Sequence, residues 1–252
     1  MTKIALITGA TSGIGEACAH LFAREHYNLI LTGRRLDRLE KLAKKLNNKY
    51  SVEIAFYAFD VRDRAEVIKN LEDLPAKWKK VNVLVNNAGL SQGLDPIQNG
   101  NYDDWDTMID TNIKGLLNVT KVVSNWMITH GGGHIVNIGS IAGKEVYPNG
   151  NVYCATKSAV DALSKAMRID LVPHGIRVTV VDPGAVETEF SEVRFKGDKE
   201  RAKKVYDGFE PLVAADIAET IWFVVSRPAH VNINELTIMP TAQASATIIA
   251  RK

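Results

Sequence analysis

The chain has 252 residues, 46% of them apolar, and a formal net charge of +2. That length and composition suit one soluble globular domain and exclude a low-complexity disordered chain. A charge this small argues against a nucleic-acid groove or a membrane-binding surface, which need clustered charge, and two cysteines, Cys18 and Cys154, exclude a disulfide framework and suit a reducing compartment.

In chain order, Lys3–Thr8 reads as a strand and Ile14–His26 as a helix. The first apolar run, Ile4 to Ile7, ends before Gly9 and is too short for a signal-peptide core or a membrane span, so the expected location is the cytoplasm. Asn28–Thr32 (strand), Leu36–Asn47 (helix), Val52–Phe59 (strand) and Arg64–Leu74 (helix) follow. Then come strand Val81–Val85, a long helical region Asp103–Thr129, strand His134–Ile138 and helix Val152–Val172. Strand Val178–Val181, helix Ala215–Val225 and strand Glu235–Met239 complete the series. Alternating elements with uninterrupted apolar strands predict a parallel sheet covered on both faces. Right-handed crossovers make this a single-domain, doubly wound α/β fold of the dinucleotide-binding (Rossmann) type over residues 1–252. No linker divides it. The polar, charged stretch from Gly184 to about Pro211 is expected to be irregular and to act as a substrate lid.

Between the first strand and helix lies Thr8-Gly9-Ala10-Thr11-Ser12-Gly13-Ile14-Gly15. Glycines at Gly9, Gly13 and Gly15 permit a tight turn and a close backbone approach to a pyrophosphate seated on the helix N-terminus. Thr11, Ser12 and Ile14 share that loop. The spacing G-x-x-x-G-x-G is one residue wider than the usual dinucleotide fingerprint. The second strand ends in Thr32-Gly33-Arg34-Arg35, without the acid that bonds a ribose 2′-hydroxyl; Asp37 falls later, in the helix. Arg34 and Arg35 present fork-shaped donors suited to a 2′-phosphate, so NADP is the expected cofactor.

Tyr153 and Lys157 stand four residues apart at the start of a predicted helix, on one face. A free tyrosine titrates near about 10; a neighbouring ammonium favours the phenolate and is expected to lower that value toward a usable general base. Ser140 follows the strand His134–Ile138, where parallel sheets bind ligands, and its hydroxyl can donate to a carbonyl oxygen as charge develops. Asn86-Asn87-Ala88-Gly89 ends another strand with small residues that let a cofactor pass closely.

In these motifs, and over its whole length, the chain resembles the short-chain dehydrogenase/reductases. The resemblance maps the family's adenine-pocket aspartate onto Asp60, beside Val61, and its N-N-A-G segment onto Asn86, Asn87, Ala88 and Gly89. It maps the catalytic four onto Asn112, Ser140, Tyr153 and Lys157. The late P-G motif falls on Pro183 and Gly184, ahead of Val186, and the threonine touching the nicotinamide amide on Thr188. The resemblance implies that Lys157 also binds the nicotinamide ribose, that Asn112 holds a water of the proton relay, and that hydride moves to the pro-S face. It also implies a homotetramer pairing the helices that contain Asn112 and Tyr153, and the apolar stretch Ala242–Ala250 could pack across such an interface.

Residues 188–198, 228–234 and 105–115 are further similar to the NADP-dependent 3-hydroxy acid (serine 3-) dehydrogenases. That similarity implies a small 3-hydroxy acid substrate, such as serine, allo-threonine or 3-hydroxyisobutyrate, oxidised at C3. A carboxylate substrate needs a cation, and Arg194, Lys196 and Lys144 are the candidates. A 3-oxoacyl thioester reductase, a broad carbonyl reductase and a non-catalytic NADP-binding regulator are the alternatives. The six histidines show no metal-ligand spacing, and no metal is expected.

Overall fold

The structure, a computed structural model, describes residues 2–252. β1 (Ile4–Thr8), β2 (Asn28–Gly33), β3 (Ile54–Ala58), β4 (Val83–Asn86), β5 (Gly133–Ile138), β6 (Ile176–Pro183) and β9 (Glu235–Ile238) form one sheet. Its order is β3-β2-β1-β4-β5-β6-β9, with every pairing parallel. β1 and the middle of β2 are apolar runs because both faces are covered, and every residue of β1 is buried.

Helices α1 (Gly13–Arg24), α2 (Leu36–Tyr50) and α9 (Ala214–Val225) pack on one face. Phe22, Tyr27 and Trp222 meet edge to face there, at centroid distances of 5.2, 5.6 and 5.8 Å. α2 is cut to that layer by its sequence: Leu39, Leu42, Ala43 and Leu46 are buried, whereas Lys41, Lys44, Lys45 and Lys49 are exposed. On the other face lie α3 (Arg64–Glu72), α4 (Tyr102–Ile109), α5 (Leu116–Thr129) and α6 (Asn151–Leu171). Each fully buried leucine or isoleucine in these layers contributes about 1.5–3 kcal/mol.

The chain steps outward through β2 and β3, then returns to β4 on the far side of β1. The crevice at that reversal, beyond the carboxyl ends of β1 and β4, is where doubly wound sheets bind ligands.

The structure corrects one expectation and adds detail to two. The long helical region is continuous but changes pitch: a π-helical turn, Asp110–Gly115, joins α4 to α5. The stretch after Gly184 is ordered, not irregular. It contains β7 (Val186–Glu187) paired with β8 (Leu212–Val213), and the short helices α7 (Phe190–Arg194) and α8 (Lys199–Lys204). Tyr206 anchors it by donating to Val186 O at 2.8 Å, with Ser191 Oγ 2.7 Å from the same hydroxyl. Finally, the C-terminal stretch folds back over its own chain. Gln243 bridges to Ile249, and Ala246 N donates to Glu145 Oε2 at 2.8 Å. No helix among the described residues is long and apolar enough to cross a membrane.

Candidate active site

A cleft of about 460 Å³ opens at the reversal point. The loop between β1 and α1 forms its floor. Gly9 (φ +65°) and Gly13 (φ +53°) take left-handed conformations that an L side chain resists. A Cβ on Gly9 would also stand 2.9 Å from Asn87 Nδ2. Asn87 laces β4 to the loop, its Nδ2 donating to Thr8 O at 2.9 Å and to Gly9 O at 3.2 Å. The backbone can therefore come against a ligand phosphate where α1 begins. Of the residues expected to hold a cofactor, all but Gly15 line the cleft. Gly15 lies behind it, where a Cβ would collide with the Gly9 carbonyl.

At the β2 end, Arg34 is largely exposed, 3.9 Å from Asp60. Arg35 donates to Thr11 Oγ1 at 2.9 Å, Ser12 Oγ at 2.8 Å and Glu189 Oε2 at 2.9 Å. Sequence reasoning missed two partners here. Arg38, one helical turn beyond Arg35, donates to Glu189 Oε1 at 2.7 Å. Burial disfavours the Glu189 charge, but the two arginines outweigh it and hold the carboxyl below its ordinary value.

Beyond β5, Tyr153 and Lys157 are buried on the first turns of α6. Lys157 Nζ donates to Ile138 O at 2.8 Å and lies 5.9 Å from the Tyr153 ring centroid. Burial pushes its ammonium down to about 8, with the Asp182 carboxylate pulling back. Burial, then the neighbouring Tyr147 hydroxyl, pushes the Tyr153 phenol above its ordinary value, against the pull of Arg194 and the Ser140 hydroxyl. The expected lowering of the phenol is thus reversed in the chain by itself, because desolvating a phenolate costs more than these neighbours return. Ser140 caps a short 3-10 turn (Ile141–Gly143), its Oγ accepting from Ala142 N at 3.1 Å. Its own amide donates to Asp182 Oδ1 at 3.0 Å.

Asn112 sits in the π turn, behind the cleft wall. Its Nδ2 donates to Leu90 O at 2.8 Å and Thr156 Oγ1 at 3.0 Å, and its Oδ1 accepts from Leu90 N at 2.9 Å. It therefore ties the strand end after β4 to α6. π turns of this kind recur at functional sites.

The three cations proposed for a substrate carboxylate separate. Arg194 lines the cleft, its guanidinium carbon 5.2 Å from the Tyr153 ring centroid. It donates to Tyr147 Oη at 2.5 Å and Ser91 Oγ at 3.0 Å, neither of which the sequence singled out. Lys196 is excluded: it points away and pairs with Asp104 at 2.9 Å. Lys144 is excluded too. Its ammonium turns behind the cleft to Asp161 and Glu235, at 2.7 and 2.6 Å.

Residues 3–199 match the short chain dehydrogenase family. The chain belongs to the short-chain dehydrogenase family. Within it, the chain is 46% identical over 244 residues to the NADP-dependent 3-hydroxy acid dehydrogenase YdfG of Salmonella typhi, covering 96% of this chain and 97% of that protein. It is 48% identical to sulfoacetaldehyde reductase 2 of Chromohalobacter salexigens, covering 97% of this chain and 96% of that one. The closed form of a serine dehydrogenase complexed with NADP⁺ superposes with a TM-score of 0.93 at 44% identity, covering 99% of both chains. The chain is thus a family oxidoreductase, and the cleft just described is where members of this fold bind ligands.

Proposed function

We propose that this protein is an NADP-dependent dehydrogenase that moves hydride between the nicotinamide and C3 of a small 3-hydroxy acid. The observation that carries the substrate reading is Arg194. It is a cation inside the cleft, oriented by Tyr147 and Ser91, and its guanidinium carbon is 5.2 Å from the Tyr153 ring centroid. A guanidinium so placed suits an oxyanion a few bonds from the reacting carbon. The relatives named for 3-hydroxy acids and the serine dehydrogenase fold support the same reading.

The cofactor site fits NADP. The glycine floor leaves the backbone open at the N-terminus of α1, and Arg34 and Arg35 offer cationic donors for a 2′-phosphate. When bound, NADP supplies the hydride acceptor, or the donor once reduced. Tyr153 takes the proton from the substrate hydroxyl during oxidation and returns one during reduction. A phenol held protonated at neutral pH is ready for the second direction. In oxidation, the positive charges of Lys157 and Arg194 favour the phenolate. Ser140 donates to the substrate oxygen, and Asn112 fixes the wall from which a relay water would be held. The ordered stretch between Gly184 and Pro211, with the C-terminal segment over it, excludes water from the transfer. Exposed Leu117 on α5 and Ile169 on α6 fit homotetramer assembly through those helices.

The test is an initial-rate panel in nicotinamide absorbance with NADP⁺ and NAD⁺ against L-serine, D-serine, L-allo-threonine and 3-hydroxyisobutyrate, run beside sulfoacetaldehyde with NADPH. Turnover of the 3-hydroxy acids with NADP⁺ is expected. Reduction of sulfoacetaldehyde alone, or of uncharged carbonyls alone, would replace the substrate assignment while leaving the hydride chemistry.

A further inference from the structure

Lys144 was a plausible substrate anchor on sequence grounds, and its actual environment gives it a different use. Its ammonium has three protons and meets three carboxylates from three elements: Asp161 of α6 at 2.7 Å, Glu235 of β9 at 2.6 Å and Asp182 of β6 at 3.5 Å. Lys165 also pairs with Asp161, at 2.8 Å, on the outer side. Asp182 is 1% exposed. Its Oδ1 accepts the Ser140 amide at 3.0 Å, while Oδ2 lies 3.5 Å from the Lys144 ammonium and has no closer hydrogen-bond partner. A buried carboxylate with one oxygen so placed is costly unless a cation balances it.

The surroundings are built to admit this cluster. A Cβ on Gly139 would overlap Asp182 Oδ1, and one on Gly143 would come 2.8 Å from the Lys157 carbonyl. The loop that carries Ser140 is thus pressed against both Asp182 and the helix that carries Tyr153 and Lys157. Ser158 closes the far side by donating to Gly143 O at 3.0 Å.

We propose that Lys144 and Asp182 form a charged clamp that positions Ser140 against Tyr153 and Lys157. The inference rests on the catalytic reading above, in which Ser140 contacts the substrate oxygen. Asp182 holds the serine by its backbone amide. Lys144 keeps Asp182 ionised and, through Asp161, sews the serine loop to α6 one turn beyond Lys157. The same carboxylate faces the Lys157 ammonium and favours its charged form. Lys144 and Asp182 are positioning residues, since neither lines the cleft.

The experiment compares Lys144→Met, Lys144→Arg and Asp182→Asn in the full-length protein, each in the native and the Ser140→Ala background. Readouts are kcat, KM for NADP, melting temperature and the pH profile of alcohol oxidation. Lys144→Met is expected to lower kcat about 10- to 100-fold, the usual cost of losing a supporting contact behind a reactive group, with KM for NADP unchanged. Lys144→Arg keeps the charge and is expected to restore most of the rate. In the Ser140→Ala background Lys144→Met is expected to cost almost nothing further, because the two changes remove the same interaction.

Asp182→Asn covers the case in which Lys144→Met does not fold. It retains an acceptor for the Ser140 amide but removes the charge. The charged and titratable groups facing the relay are Asp182 from β6, with Lys144 and Glu235 of β9 beside it, Tyr153, Cys154 and Lys157 on α6 itself, Tyr147 from the loop before it and Arg194 from α7. Without the Asp182 anion Lys157 deprotonates more easily and the phenolate loses support, so the acidic limb of oxidation is expected to move to higher pH. The proposal is overturned by an equal cost of Lys144→Met in both backgrounds, by a kcat loss that only tracks melting temperature, or by no loss. An unmoved pH limb in Asp182→Asn overturns the electrostatic half. Full activity of Ser140→Ala alone would instead defeat the catalytic reading on which the clamp depends.

Discussion

Replacing Arg194 by alanine separates recognition of an anionic substrate from hydride chemistry. Two of its nitrogens are engaged, Nε with Ser91 and Nη2 with Tyr147, and Nη1 carries no protein partner among the described residues. A substrate carboxylate would take Nη1 and share Nη2. One charge-assisted hydrogen bond of that kind is worth about 1.5–3 kcal/mol, so losing it lowers kcat/KM for a 3-hydroxy acid by roughly ten- to a hundredfold or somewhat more. The loss is expected mainly in kcat, because the remaining contacts still hold the molecule but no longer aim its C3. A small uncharged alcohol never used the cation, and its kcat/KM should change only a few-fold. That residual change has a sign. Arg194 helps to lower the Tyr153 phenol, so its removal raises that value and moves the acidic limb of oxidation upward. Lysine at this position keeps the charge without the fork and should fall between the two. The assay is initial-rate kinetics for one charged and one neutral alcohol with NADP⁺. Equal losses for both substrates, or unchanged kinetics with the acid, would refute the assignment of Arg194.

Two further outcomes are expected. Removing the cationic forks at the adenosine end with Arg34→Ala and Arg35→Ala should weaken NADP⁺ binding by about 1–3 kcal/mol each, measured by calorimetric titration; Arg34→Ala should spare NAD⁺, whereas Arg35→Ala, which also frees Thr11, Ser12 and Glu189, should weaken NAD⁺ to a smaller extent. The Lys157 ammonium is pushed from 10.5 to about 8 in the folded chain, so between those values the unfolded chain binds the extra proton and stability rises with pH. Urea midpoints of the cofactor-free protein should therefore rise between pH 8 and 9, below the range in which buried Cys18 and the buried tyrosines, whose values are raised, act in the opposite sense, and Lys157→Met should flatten that rise.

The sheet was legible because β1 and β2 carry short apolar runs, and β5 and β6 are rich in Ile and Val, each separated from the next by helices of matching period. The glycine floor and the Tyr153–Lys157 pair were legible because both depend on local spacing. Lys144 and Lys196 were not separable from Arg194, since all three are cations near the catalytic serine or in the lid. Which one faces the cleft depends on where the chain turns after Gly143 and on the left-handed backbone at Lys196, which also turns its side chain toward Asp104. The order of the lid was hidden by its charge: its helices are short, and they are held by Tyr206 and by pairings distant in sequence. The π turn at Asn112 left no mark in a continuous helical pattern. The contacts that the apolar C-terminal stretch makes with its own chain were not legible, because composition does not say which segments it meets. Tyr147 and Glu189 lie within a few residues of predicted groups, and only the folded arrangement gives them partners.

The most direct test of the central claim is Tyr153→Phe, measured for NADP⁺ binding and for turnover of L-serine side by side. The account predicts that binding stays within a few-fold of the native protein while turnover disappears, because only the proton-transferring hydroxyl has been removed. Turnover that survives the substitution at a comparable rate would contradict it.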